Sequence, residues 1–277
     1  MIYTKPVANG KRSINSSATF VAALGGRSVL SIPSFMEVLS KAEKLVKSEH
    51  PGVHQNALNK VRGDWYESLI ALGASQYAIE NKARLVIVPL PNVRAFSCEN
   101  LYIDKISDLV VDLRKVLKKS VDVSLISSNP DFVIVPENLV ELKDTSKGQV
   151  EDIEYLSSIY KKLAGQCEFS DIIGYCSVKT GLKPDRRLQI AHEGSLMKAL
   201  YRHIQTRLWT IDAQGIRYFG ITASCNNADR LAMKTIATHS IVDVSSVPES
   251  AVNALFAVNS GEELKEALAT ILAPSIK

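Results

Sequence analysis

The sequence contains few cysteines, no long hydrophobic run and little excess charge. The cysteines are far apart and form no C-x-x-C pair, which argues against a zinc site and against a disulfide framework. They are Cys98, Cys167, Cys176 and Cys225. No apolar stretch approaches the roughly 20 residues that a membrane helix requires, and the first residues lack the apolar core of a signal peptide. These absences predict a protein of the reducing cytoplasm without membrane association.

Charge and length permit a nucleic-acid partner and one sizeable core. Lys and Arg number 33 against 29 Asp and Glu, an excess of four that permits a polyanionic partner without requiring one. A chain of 277 residues that is 46% hydrophobic is sufficient for a packed core. No repeat, low-complexity tract or long linker divides it. We therefore predict a single domain over residues 1–277, with residues 141–152 as an exposed connection.

Hydrophobic periodicity predicts a mixture of helices and strands. Apolar residues spaced by three and four indicate helices at 34–50, 64–81, 106–117, 153–163 and 261–273. Short runs of β-branched and aromatic residues indicate strands at 84–90, 121–126, 131–135, 172–179 and 216–224. Ser260 and Glu263 form a capping-box pattern for the last helix. The mixture predicts an α/β fold with a central mixed β-sheet flanked by helices.

An aspartate and a lysine mark the ends of two predicted strands. Asp131 follows Pro130 at the head of one strand, and Lys179 ends another after Ser177 and Val178. Asp131 alone could be a turn residue that caps the strand. If the two strands are neighbours in the sheet, however, Asp131 and Lys179 lie at the same edge.

Several segments resemble the PD-(D/E)XK nucleases. That family carries Pro-Asp at a strand edge, followed by an acid, a spacer and a lysine, and here Ser177 stands where the acid is expected. The segments SNPD, SVKT, GDWYESLIA and DRRLQIAHEG resemble, in order and spacing, the type II restriction endonucleases that cut CCGG-containing sites, a type IIF-like group. In that group a glutamate on the following helix supplies the missing acid, and Glu193 stands at that place. The resemblance implies a PD-(D/E)XK restriction-endonuclease-like fold.

The resemblance also implies Mg²⁺-dependent hydrolysis of a phosphodiester. Asp131 and Glu193 would be carboxylate ligands of Mg²⁺, with the main-chain carbonyl of Val178 as a third ligand. Glu67 would be a further acid at the metal. Lys179 would orient the attacking water and stabilise charge on the phosphate.

Two of these acids also have simpler explanations. Glu67 could be a partly buried glutamate that pairs with Arg62 or a lysine, because it lies within an apolar helical pattern. Glu193 could complement the dipole at the start of a helix.

The segment KPDRR follows Lys179 closely and predicts contacts with bases near the cut. Lys183, Arg186 and Arg187 could donate to guanine, and Asp185 could accept from the amine of cytosine in the major groove. The alternative is a solvated turn with an internal Asp-Arg ion pair. Arg207 could reach a flanking base pair or a phosphate, or could be a cation that favours the end of its helix.

The resemblance implies a site-specific type II deoxyribonuclease. Its partner would be double-stranded DNA with a CCGG core, read as an R/CCGGY-like palindrome and cut to leave a 5′ overhang. It would act as a homodimer or homotetramer, with Trp209 either at a subunit contact or in the core, and would imply a companion DNA methyltransferase. The alternatives are a repair or processing nuclease of the same superfamily with low sequence specificity, and a DNA-binding protein without catalysis.

Overall fold

A mixed β-sheet surrounded by helices forms the centre of the protein. The computed structural model describes residues 3–6, 12–93, 95–122, 129–235, 237 and 248–274. The strands within these residues are β1 (Thr4–Pro6), β2 (Arg12–Ile14), β3 (Leu85–Pro89), β4 (Phe132–Pro136), β5 (Gly174–Lys179), β6 (Arg217–Thr222) and β7 (Ala254–Ala257). The helices are α1 (Ser16–Leu24), α2 (Phe35–Glu49), α3 (Gln55–Asn81), α4 (Asp104–Val121), α5 (Val150–Ser158), α6 (Tyr160–Leu163), α7 (Pro184–Arg207), α8 (Asn227–Met233) and α9 (Gly261–Ile271).

The main sheet has five strands with mixed pairing. The sheet runs β3-β4-β5-β6-β7, while β1 and β2 form a separate antiparallel pair. Strands β3, β4 and β5 pair antiparallel, and β5, β6 and β7 pair parallel. The runs in β3 and β4, LVIVP and FVIVP, are almost wholly buried, as expected of strands covered on both faces. The predicted mixed sheet flanked by helices is confirmed.

Helix α3 is the longest helix and is fixed to the rest of the protein by two buried aromatic residues. The Trp65 indole donates to the Ser16 carbonyl at 3.0 Å, and the Tyr66 hydroxyl donates to the Val258 carbonyl at 2.6 Å. Both side chains are almost completely buried. Because Trp65 and Tyr66 directly precede Glu67, they fix the rotation of the helix about its axis and therefore the direction in which Glu67 points.

Helix α7 packs unusually close to the sheet at Gly194. A β-carbon at this position would lie 2.3 Å from the Ala251 carbonyl oxygen and 3.0 Å from the Tyr218 ring. Only glycine allows this approach, because any side chain would overlap the backbone of the neighbouring segment. The approach brings the residue before it, Glu193, against β6.

Some predicted elements differ from the structure. Strand β7 and the β1–β2 pair were not predicted, because they are too short to show alternation. In the predicted strand at 121–126, residues 121 and 122 end α4 and its cap, and residues 123–126 lie outside the described part of the chain. Helix α3 begins at Gln55, before the predicted residue 64, because its first two turns are largely polar.

The connection predicted at 141–152 is only partly exposed. Thr145 is completely buried, and its carbonyl accepts a hydrogen bond from Gln76 at 3.1 Å. Gly148 has a φ of +55° and packs against Leu24, so this part of the loop is anchored to the core. Residues 150–152 already belong to α5.

The capping pattern at the last helix is shifted by one residue. The Ser260 hydroxyl accepts from the Glu263 amide at 3.2 Å, as predicted. The Glu263 carboxylate accepts from the amide of Asn259 at 2.6 Å, however, rather than from that of Ser260. The helix start is thus capped from both sides.

The described residues include all the cysteines and nine helices, which bear on disulfides and on membrane spans. All four cysteines lie within the described residues and are unpaired. Among the same residues, no helix has the length and apolarity that crossing a membrane would require.

The close contact at Gly194 predicts a stability difference between two helical glycines. We expect Gly194→Ala to destabilise the protein by about 1–3 kcal/mol, because overpacking against a backbone carbonyl outweighs the better helix propensity of alanine. Gly63→Ala, in α3, has no atom within 4 Å of the added carbon and should stabilise by up to about 1 kcal/mol. Urea unfolding of both variants tests this, and equal effects of the same sign would contradict it.

Candidate active site

Asp131 and Lys179 meet at one edge of the sheet, as predicted. Asp131 directly precedes β4 and Lys179 ends β5, and the antiparallel pairing of these strands brings the two residues together. Asp131 Oδ2 lies 2.8 Å from Lys179 Nζ, 2.6 Å from the Val178 amide nitrogen and 3.3 Å from Ser177 Oγ. Within the described residues no hydrogen bond reaches Oδ1, which leaves that oxygen for a ligand.

A cavity of about 400 Å³ opens beside Asp131. Helix α3 lines one side of it with Asp64, Glu67 and Ser68, and the segment after β3, residues 89–93, lines another. The cavity therefore contains three carboxyl groups from two elements.

Glu67 is an acid whose environment disfavours its charge. Burial, and then the nearby charge of Asp131, raise the pKa of Glu67 to about 8, while Lys179 acts in the opposite direction. Arg62 pairs with Glu43 at 3.3 Å, so the predicted alternative of a Glu67–Arg62 pair is wrong. The single lysine does not offset burial and the second carboxylate, so Glu67 stays protonated near neutral pH.

Asp64 was not identified from the sequence. It lies one helical turn before Glu67 and lines the same cavity. Burial raises its pKa, and the charge of Lys60 opposes this shift. The spacing of three residues, which places two acids on one helix face, was the available signal.

Glu193 lies in the middle of α7 and is nearly fully buried. Its Oε2 accepts a hydrogen bond from the Tyr218 hydroxyl at 2.9 Å, and its Oε1 accepts from Gln189 Nε2 at 2.8 Å. Because α7 begins at Pro184, Glu193 is too far from the helix start to serve as a dipole partner, and that alternative is wrong.

Tyr218 connects Glu193 to the sheet edge. Burial, and then Glu193, raise the pKa of Tyr218 well above its ordinary value, so the hydroxyl remains a donor. Ser177, whose hydroxyl lies 3.3 Å from Asp131, is close enough to Tyr218 to oppose the rise of its pKa. The charge of Asp131 also acts on Tyr218, so this tyrosine lies near both Glu193 and the Asp131 edge.

The carboxylates do not form a closed metal cage. In the parts of the chain that are described, no three His, Cys, Asp or Glu side chains converge closely enough to form a metal site. The structure brings Asp131 and Lys179 into direct contact and places Glu67 in the same cavity, where both charges act on its pKa. Glu193 contacts Tyr218, which lies near Asp131.

The turn that follows Lys179 is exposed at the start of α7. Lys183, Asp185 and Arg186 are solvent accessible, whereas Arg187 Nε lies 3.4 Å from the largely buried Asp229 of α8. No ion pair of Asp185 occurs within the described residues, so the predicted internal pair is not formed. Four residues of chain span at most roughly 14 Å, which keeps Lys183 close to Lys179.

Arg207 and Trp209 lie at the other end of α7. This helix has 24 residues and is therefore roughly 36 Å long. The structure does not bring Arg207 to the turn between Lys179 and the start of α7. Trp209 has a φ of +54° and is 88% exposed, so the alternative that it lies in the core is wrong.

The comparisons with known proteins agree over the whole chain. The family model of the Cfr10I/Bse634I restriction endonucleases matches residues 3–274. The type II restriction enzyme Cfr10I of Citrobacter freundii is 39% identical over 283 residues, which cover 98% of this chain and 99% of that enzyme.

Solved structures of a related enzyme show the same fold. The type IIF restriction endonuclease Bse634I, crystallised with cognate DNA, matches with a TM-score of 0.85 and 28% identity over 98% of both chains. A second structure of Bse634I matches with a TM-score of 0.86. The chain therefore belongs to the Cfr10I/Bse634I restriction endonuclease family and is a type II site-specific deoxyribonuclease.

Proposed function

We propose that this enzyme cuts duplex DNA at an R/CCGGY-like palindrome, by Mg²⁺-dependent hydrolysis that leaves a 5′ overhang. The observation that carries the proposal is the meeting of Asp131, Lys179 and Glu67 at one sheet edge, a short distance from the exposed turn at 183–186. A DNA-binding protein without catalysis would not need the buried Asp131–Lys179 pair. A nuclease of low specificity would not need an exposed Asp-Arg turn beside its catalytic lysine.

The donor set at the cavity fits a hard divalent cation. Asp131 and Glu67 offer carboxylate oxygens, which Mg²⁺ prefers, and the main-chain carbonyl of Val178 is proposed as a third ligand. The raised pKa of Glu67 supports this assignment, because a cation would relieve the repulsion between the two acids. When bound, Mg²⁺ would supply charge neutralisation at the phosphate and acidify a bound water.

Lys179 has a position suited to the developing charge of the reaction. Its ammonium is held by Asp131 at 2.8 Å, and its side chain is 12% exposed. In such a poorly solvated place, a fixed cation stabilises a negatively charged transition state more strongly than it would in water. We assign Lys179 to orienting the attacking water and stabilising charge on the phosphate.

Glu193 is proposed to supply the carboxylate that the motif expects at position 177, where this chain has serine. Its hydrogen bond with Tyr218 supports this assignment, because Tyr218 also lies near Ser177 and Asp131. Glu193 is also buried at the close approach of α7 to the sheet, where a charge without function would be costly.

Sequence readout is assigned to the first turn of α7. Asp185 and Arg186 present an acceptor and a bidentate donor that match the edges of cytosine and guanine in the major groove. Lys183 would donate as a point charge without the planar fork of arginine. Arg187, which is held by Asp229, is assigned a supporting contact to the same site. Self-protection of the host would then require a companion methyltransferase.

The working form is proposed to be a homodimer or a homotetramer. One active site cuts one strand, so a palindrome requires two subunits related by the symmetry of the DNA. Trp209 and Ile211, which are 88% and 90% exposed, form an apolar end of α7 suited to a further subunit contact. Arg207 lies beside them, and its assignment to a flanking base pair or phosphate stays a prediction.

We expect Lys179→Ala to abolish cleavage and to spare specific binding. Loss of the cation should lower the single-turnover rate on a CCGG plasmid by at least about 10²–10³-fold. Lys162→Ala, which removes an exposed lysine paired with Glu141, is the control and should cut normally. Mapping of the ends of a digested plasmid identifies the target. Near wild-type cutting by the Lys179 variant would overturn the assignment.

The raised pKa of Glu67 predicts that cation binding releases a proton. With a pKa of about 8, the carboxyl is mostly protonated at pH 7 and mostly ionised at pH 9. A ligand must be deprotonated, so binding of Mg²⁺ should release about one proton at pH 7 and almost none at pH 9. Calorimetric titration in two buffers of different ionisation enthalpy measures this release.

Glu67→Gln provides the control for this experiment. It should bind Mg²⁺ more weakly and remove the dependence of proton release on pH. In the metal-free protein, the raised pKa makes the folded state bind the proton more tightly than the unfolded chain does. The stability from Glu67 is therefore lost as the pH rises from 4.5 to about 8. Proton release that is unchanged in Glu67→Gln would contradict the prediction.

Removal of either readout residue should reduce discrimination between sequences. We expect Asp185→Ala and Arg186→Ala each to weaken binding to a CCGG duplex by about 1–3 kcal/mol, with little change for random duplex. The Lys179→Ala background prevents cleavage during competition binding with Mg²⁺. An equal loss of affinity for cognate and random DNA would assign these residues to phosphate contacts instead.

A further inference from the structure

Two of the hydrogen-bond donors to Glu193, Tyr218 and Gln189, differ in their freedom to move. Tyr218 is completely buried in β6, whereas Gln189 lies on the exposed side of α7, one helical turn before Glu193. Each donor occupies a different carboxylate oxygen: Tyr218 contacts Oε2 at 2.9 Å and Gln189 contacts Oε1 at 2.8 Å.

Tyr218 is held in place by its surroundings. Its ring packs against α7 at Gly194, where a β-carbon would lie only 3.0 Å away. Its main-chain amide donates to the Asn253 side chain at 2.8 Å, and its strand pairs with β5 with Tyr175 opposite. The hydroxyl therefore has a fixed position relative to Ser177 and the Asp131 edge.

Gln189 has no such restraint. Its side chain extends along the solvent-accessible face of the helix, and residues four apart on a helix are neighbours. A rotation about its side-chain bonds would move the amide into water, where its hydrogen-bonding capacity is satisfied. The hydrogen bond from Gln189 to Oε1 is thus far easier to break than the hydrogen bond from Tyr218 to Oε2.

We propose that Tyr218 is a positioning residue that presents Glu193 to the divalent cation, and that Gln189 covers the oxygen to be coordinated until the cation arrives. The inference rests on the proposed function, in which Glu193 is a metal ligand. Tyr218 retains Oε2 in both states, and Gln189 gives up Oε1. The chain thereby keeps a buried carboxylate satisfied before the metal binds, and fixes its direction afterwards.

The two donors should consequently affect cation affinity in opposite directions. Tyr218→Phe removes one hydroxyl and should weaken cation binding about tenfold to a hundredfold, as is usual for partners that orient metal ligands. Gln189→Ala removes a competitor and should tighten binding severalfold. A purely structural defect would weaken binding in both variants.

The experiment measures binding of Mn²⁺, an oxygen-preferring cation, by the loss of the paramagnetic resonance signal of free Mn²⁺. The protein is bound to a CCGG duplex with a non-cleavable linkage at the cut site, so the readout does not depend on activity. Single-turnover cleavage of normal duplex as a function of Mg²⁺ gives a second measure: the half-saturating concentration should rise in Tyr218→Phe and fall in Gln189→Ala.

Tyr175→Phe is the matched control. Tyr175 is buried opposite Tyr218 and lies near Tyr102, and within the described residues its hydroxyl donates to no carboxylate, so its loss should leave cation affinity unchanged. Glu193→Gln separates the two levels of the argument. If it binds Mn²⁺ like the wild type, the proposed role of Glu193 fails. If it binds weakly but Tyr218→Phe binds normally, or Gln189→Ala weakens binding, the positioning role alone is overturned.

Discussion

The convergence of three donors from the end of β5 on one oxygen of Asp131 is the interaction on which the site depends. It requires β4 and β5 to be antiparallel neighbours in one register, because a shift of one residue would turn Lys179 to the other face of the sheet. Within that register the Val178 amide and the Lys179 ammonium both reach Oδ2. The aspartate is thus fixed by the sheet itself, and the elements that supply the other acids are arranged around it.

The acids around Asp131 come from elements held by different means. Buried aromatic contacts of α3 fix Glu67, whereas the missing side chain of Gly194 allows α7 to bring Glu193 against the sheet. Burial and the charge of Asp131 outweigh the nearby Lys179, so Glu67 remains protonated at neutral pH. The acids of the site are therefore neutral or hydrogen bonded, and a cation can convert them to ligands at modest cost.

The sequence predicted the strands and the meeting of Asp131 with Lys179, because both rest on local patterns that the sheet preserves. It predicted the start of α7 poorly, since the first turns of this helix are polar and exposed and show no apolar period. The contribution of Tyr218 depends on which side chains face each other across elements distant in sequence, and no spacing along the chain encodes such a contact. Asp64, in contrast, lies one helical turn before Glu67, so its spacing was a signal that the sequence did contain.

The location of Glu193 on a helix rather than on a strand has a consequence for how such nucleases are recognised. Ser177, the strand position where the acid is expected, and Glu193, on helix α7, both lie near the hydroxyl of Tyr218. Under the proposed assignment, the active site is defined by the arrangement of its side chains in space and not by a continuous sequence motif. A sequence search for an acid, a spacer and a lysine would miss this chain, whereas a search by the three-dimensional positions of the side chains would find it.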